Sequence, residues 1–110
     1  MKRLAELMNM EGRAAIITGG AGHIGTAVAE ALAELGFNLC LVDRPEVPLS
    51  AVAERLRADW GRQVEILAAD LEDESARSAI PGFVTERFGR LDVLVNCAGA
   101  WAGKIAGWFD

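Results

Sequence analysis

Apolar and polar positions along this chain alternate between two periods. Ala14 to Thr18 is a short, continuous, β-rich run, the pattern of a strand buried on both faces. Ile24, Val28, Ala31, Leu32 and Leu35 then recur at helical spacing, and Gly36 follows where a C-terminal cap belongs. The rhythm repeats. Asn38 to Arg44 predicts a second strand. Leu49, Val52 and Leu56 mark a helix that ends near Trp60, with Gly61 as its stop, and Val64 to Leu71 predicts a third strand before a polar turn at Glu72 to Ser75. Proline is favoured at the first helical position, where its missing N–H costs nothing, so the next helix is expected to begin at Pro81. Ile80, Phe83, Val84 and Phe88 supply its apolar face, Gly89 ends it, and Leu91 to Asn96 predicts the fourth strand.

Strands alternating with helices of this length imply βαβ crossovers. The expectation is an α/β fold: a doubly wound parallel sheet in the order 3-2-1-4, with helices on both faces. With 110 residues the chain holds one domain. Residues 12–110 are assigned to it, and residues 1–11, with Leu4, Leu7 and Met8 at helical spacing, read as an amphipathic arm.

Composition narrows the function. Apolar residues make up 52% and charged residues 25%, as in soluble globular chains. Eleven basic against sixteen acidic residues leave a net charge of −5, with no cationic field for a nucleic acid. Charged and polar residues interrupt the N-terminal segment, so it lacks the apolar core of a signal peptide, and no run approaches the length of a membrane span. Cys40 and Cys97 lie in apolar runs without metal-ligand spacing, and both are read as reduced, buried thiols of a cytoplasmic protein. No metal site is expected.

The chemistry concentrates at "TGGAGHIG", Thr18 to Gly25, between the first strand and the first helix. Free N–H groups and the positive end of the helix dipole meet at such a turn. A pyrophosphate can sit there if the backbone comes close and no Cβ intervenes. Gly20, Gly22 and Gly25 fit G-x-G-x-x-G, while Thr18, Gly19, Gly22 and Gly25 fit T-G-x-x-G-x-x-G. No Lys-Ser/Thr pair follows the last glycine, which disfavours a mononucleotide P-loop. Gly19, Gly22, His23, Ile24 and Gly25 are therefore the candidate phosphate-side residues. Asp43 ends the second strand 18 residues after Gly25, close to the roughly 20 expected of a carboxylate that accepts from the adenosine ribose hydroxyls. A 2′-phosphate would meet a like charge there, so NAD is favoured over NADP. Arg44 works against this, since its guanidinium could pair with a phosphate or stack on adenine.

The "TGGAGHIG" turn, "VDR" after the second strand, "ADL" after the third and "VNCAGA" after the fourth resemble the short-chain dehydrogenase/reductase family, in that order, from Gly12 to about Ala102. The resemblance implies a Rossmann-type fold. It also implies that Asp70 and Leu71 lie against adenine, and that Asn96, Ala98 and Gly99 line the ribose and the middle of the cofactor. Two positions depart from the pattern. Asn-Asn-Ala-Gly reads Asn-Cys-Ala-Gly, with Cys97 in the second slot, and His23 stands where the commonest pattern has glycine. His23, in the first turn of a helix, is read as facing the dipole or solvent rather than as an acid/base group. The spacing with Gly22 belongs to the extended branch of the family, so a nucleotide-sugar epimerase or dehydratase is a further reading.

Members of the family exchange hydride between a nicotinamide and a hydroxyl/carbonyl substrate, using a tyrosine in Tyr-x-x-x-Lys and an upstream serine. This sequence contains no tyrosine, and only eleven residues follow Gly99. No residue here takes a catalytic role. The resemblance covers the cofactor half of the family fold and stops after the fourth strand. The expectation is an NAD-dependent oxidoreductase whose small-molecule substrate is met by the full-length form. A stand-alone, non-catalytic NAD-binding module is the alternative. With a fourth strand left as an apolar edge, self-association is expected, with Trp101, Ile105, Trp108 and Phe109 read as displaced core and interface residues ahead of a substrate or lid role.

Overall fold

The computed structural model describes residues 9–97. Within them four strands and three helices alternate: β1 (Ala14–Thr18), α1 (His23–Leu35), β2 (Asn38–Asp43), α2 (Ser50–Trp60), β3 (Val64–Ala68), α3 (Glu74–Phe88) and β4 (Val93–Asn96). The strands form one parallel sheet in the order β3-β2-β1-β4, as the alternation predicts.

The central strand explains its own sequence. All five residues of β1 are buried, because β2 and β4 flank it and helices cover both faces. On one face Ala15, Ile17, Leu39 and Leu41 pack with Ala29 and Ala33 of α1 and with Ala53 and Leu56 of α2. On the other, Ala14, Ile16, Cys40 and Val42 pack with Ile80 and Val84 of α3. The alanines let two helices approach the sheet closely. Among the described residues β3 has a partner on one side only, and its middle residues are half-buried.

β2 ends at Asp43, one residue short of the predicted Arg44, and three other boundaries differ from the sequence reading by two residues or more. α3 begins at Glu74, two turns before Pro81. Asp73 caps it by accepting the Ser75 N–H at 3.0 Å, so the expected polar turn is the helix start, and Glu74 in the first turn and Arg87 in the last suit the helix dipole. β3 stops at Ala68 instead of Leu71, because its partner β2 ends at Asp43, whose carbonyl accepts the Ala69 N–H at 2.9 Å. β4 starts at Val93, because Asp92 is occupied in joining the strand starts: its N–H donates to the Ala14 carbonyl at 2.9 Å and its Oδ2 accepts the Ala14 N–H at 2.8 Å. Arg90 donates twice to the same carboxylate, and this pairing, with the Ala14 N–H, holds Asp92 at about 2, below the usual carboxylate range.

Gly36 ends α1 in the left-handed region, with φ +116°, as the spacing predicts. It also lets the incoming chain cross, since a Cβ there would lie 2.7 Å from the Glu11 nitrogen. Of the expected arm, residues 1–8 lie outside the described residues. Met10 packs on the core, and its N–H donates to the Leu35 carbonyl at 3.0 Å.

Candidate functional site

The site forms at the carboxyl ends of the parallel strands, where such a sheet opens a crevice. Its floor is the turn between β1 and α1. Gly19 takes φ +70°, which reverses the chain immediately after the strand. Gly25, in the first turn of α1, is buried so tightly that a Cβ would stand 2.2 Å from the Gly19 carbonyl oxygen. Gly20 lies on β2, where a Cβ would come within 3.0 Å of Leu41 Cβ, and its N–H donates to the Val42 carbonyl at 3.1 Å.

Gly22 differs from its neighbours. It caps α1 with φ −75°, it is exposed, and a Cβ would meet only the Gly19 oxygen, at 3.4 Å, which is ordinary contact. The fold itself does not demand glycine there. Among the described residues no side chain caps α1, and no acidic residue sits in its first turn. The positive end of the helix therefore faces outward beside an open backbone.

Asp43 brings the end of β2 against this turn. Its Oδ2 accepts the Ala21 N–H at 3.2 Å, and its Oδ1 accepts the Arg44 N–H at 2.9 Å. Each carboxylate oxygen thus holds one backbone N–H and has lone-pair capacity for a further donor. Arg44 is exposed, and its guanidinium lies 3.4 Å from Glu46, turned toward its own loop. On the other side, the Thr18 hydroxyl donates to Asn96 Oδ1 at 2.6 Å and the Cys97 N–H donates to the Thr18 carbonyl at 3.1 Å. These bonds fix the end of β4 level with the end of β1.

The remaining candidates lie just past the carboxyl ends of the strands. His23 is exposed at the first position of α1, turned to solvent as expected, and Ile24 is 72% exposed beside it. Asp70 is exposed just past β3, its Oδ1 accepting the Glu72 N–H at 3.0 Å. Leu71 packs half-buried against the second core cluster. Ala98 and Gly99 lie outside the described residues, as do Trp101, Ile105, Trp108 and Phe109.

The cysteines separate. Cys40 is buried in β2, and burial, then the Glu65 carboxylate, pushes its thiol up to about 12. Cys97 is only half-buried, contrary to the expectation: it follows the last residue of β4, the edge strand among the described residues.

Two contacts escaped the sequence reading. The Ala21 N–H reaches Asp43 through backbone alone, so no side-chain type signals it. The Thr18 to Asn96 bond spans 78 positions and becomes visible only once the β1–β4 register is known.

Comparison with known proteins agrees with this geometry. The short chain dehydrogenase family model matches residues 13–108. The 2,3-dihydroxy-2,3-dihydro-p-cumate dehydrogenase of Pseudomonas putida is 40% identical over 90 residues, which cover 82% of this chain and 35% of that protein. L-sorbose reductase from Gluconobacter frateurii, solved with NADPH and L-sorbose, superposes with a TM-score of 0.80 at 35% identity, over 86% of this chain and 36% of that one. Xylitol dehydrogenase bound to NAD+ superposes with a TM-score of 0.76 at 31% identity, over 82% and 34%. This chain spans about a third of the length of the curated relatives it matches. With its parallel sheet in the order β3-β2-β1-β4 and its glycine turn after the first strand, the chain belongs to the short-chain dehydrogenase family.

Proposed function

We propose that this chain is the dinucleotide-binding portion of an NAD-dependent short-chain oxidoreductase, with residues 12–110 as the binding domain and residues 1–11 as an arm leading into it. The observation that carries the reading is Gly22: a glycine where the fold has room for a side chain, at a helix N-terminus that no side chain among the described residues caps. A ligand that comes against the backbone accounts for it, and a pyrophosphate suits the open N–H groups and the dipole.

The other residues follow from that seat. Gly19 and Gly25 shape the turn, and His23 and Ile24 flank the phosphates and the apolar face of the cofactor. Asp43 accepts from the adenosine ribose hydroxyls. Asp70 and Leu71 border the adenine, and Asn96, with Ala98 and Gly99, borders the ribose and the middle of the cofactor. A 2′-phosphate would be repelled by Asp43, and Arg44 is already paired with Glu46, which supports NAD over NADP. Related solved structures hold either cofactor, NADPH in the sorbose reductase and NAD+ in the xylitol dehydrogenase.

When bound, the nicotinamide supplies hydride exchange with a hydroxyl/carbonyl substrate. The residues of this chain bind and orient it. None of the 110 residues is tyrosine, so the chain by itself binds the cofactor without turning over an alcohol. Equilibrium titration followed by nicotinamide fluorescence tests the reading. NADH should bind at least about tenfold tighter than NADPH, a difference of about 1.4 kcal/mol. Absence of NADH binding, or equal affinity for the two, overturns it.

A further inference from the structure

The seat for the pyrophosphate and the acceptor for the ribose are one piece of structure. The glycine turn is strapped to the end of β2 at two successive residues: the Gly20 N–H donates to the Val42 carbonyl at 3.1 Å, and the Ala21 N–H donates to Asp43 Oδ2 at 3.2 Å. Gly20 rests so close to β2 that a Cβ would press on Leu41 Cβ at 3.0 Å. The first strap joins backbone to backbone and survives any substitution that keeps the strand. The second depends on one side chain.

We propose that Asp43 is a positioning residue for the glycine turn in addition to accepting from the ribose: by holding the Ala21 N–H it fixes the approach to Gly22 and so the direction in which the first N–H groups of α1 open. This rests on the dinucleotide reading above. Two physical points support it. A turn built from glycines loses more backbone entropy on ordering than any other, so a fixed acceptor at its middle lowers the cost of presenting it to a ligand. With one oxygen held by the Ala21 N–H and the other by the Arg44 N–H, the carboxylate is fixed in orientation and meets the turn in one geometry. The strap makes the turn rigid. Replacing Asp43 to admit a 2′-phosphate would therefore loosen the phosphate seat as well.

Separating this role from ribose binding requires a probe without the hydroxyls that Asp43 could accept from. 2′,3′-Dideoxyadenosine diphosphate keeps the adenine and the diphosphate and lacks both hydroxyls. Asp43→Asn and Asp43→Ala both remove the charge, but only Asn retains an oxygen for the Ala21 N–H. Asp43→Val, a good strand former, repeats the comparison with a second side chain lacking an acceptor. The expected result is that the Ala and Val variants bind this probe about fivefold more weakly than the Asn variant, the worth of one ordinary hydrogen bond. In the ligand-free protein, hydrogen exchange at the Ala21 amide should be slow in wild type and Asp43→Asn and fast in Asp43→Ala. Equal probe affinity in the Asn and Ala variants of a protein whose wild type binds ADP overturns this inference alone, as does equal Ala21 exchange in both. A wild type that binds neither ADP nor NADH overturns the dinucleotide reading, and this inference with it.

Discussion

Gly22 and Gly25 stand three positions apart in one turn, yet they are glycine for different reasons. A Cβ on Gly25 would stand 2.2 Å from a backbone oxygen, which cannot step aside as a flexible side chain would. Gly25→Ala should therefore cost about 1–3 kcal/mol of stability in urea unfolding, with or without a ligand. Gly22→Ala meets only ordinary contact, and losing a modest N-cap preference should cost at most about 1 kcal/mol. Equal destabilisation by the two would show that the turn does not have this shape. Sequence spacing marks both as glycines of a phosphate turn, but it cannot say which serves the fold and which serves a ligand. That difference lies in what surrounds each Cβ position. Asp92 carries a pH dependence of the same local kind. Arg90 and the Ala14 N–H hold its folded value at about 2, below the unfolded value of ~3.9. Its contribution is present above about pH 4 and is lost as pH falls through about 2. Asp92→Asn should flatten the acid limb of stability between those values, and an unchanged limb would contradict the pairing.

At the scale of elements, periodicity and caps carried most of the assignment. The glycines after α1, α2 and α3 each mark a helix end with positive φ, where a left-handed residue is needed. α3 shows the competing signals. Pro81 reads as a first helical residue, but it sits inside the helix, while the true start is signalled by Asp73 followed by Ser75. Two start signals eight positions apart compete, and the earlier one wins because Ile80 and Val84 together reach the core under β1 and β2. The proline is exposed and gives no N–H to the carbonyl four residues before it. Pro81→Ala should thus stabilise the domain by about 1–2 kcal/mol, the interior-proline penalty reduced by the looser unfolded chain. A destabilised variant in urea unfolding would mean that the proline fits a local bend the helix requires. Strand lengths were less legible, because they depend on where the neighbouring strand stops, as β3 stops with β2 at Asp43.

At the scale of the molecule, the layering follows directly from alternation, since residues of β1 and β2 divide evenly between two core clusters. Among the described residues β4 forms one edge of the sheet. Leu94, in register with Ile16, is 63% exposed on the face that α3 covers elsewhere. An apolar edge strand is a template for pairing. The 110-residue chain is accordingly expected to associate, its mean mass in sedimentation rising through the micromolar range, and Leu94→Lys should lessen the rise. A monomer at every concentration would contradict this.

The central claim is that the turn between β1 and α1 seats the pyrophosphate of a nicotinamide dinucleotide, and Gly22 tests it most directly. The measurement is calorimetric titration of NADH into wild type and Gly22→Ala, after urea unfolding has shown that both are folded. The account predicts that wild type binds and that the variant binds at least about tenfold more weakly, because its methyl group fills space the fold leaves for the phosphates. A variant that binds NADH as tightly as wild type would contradict it.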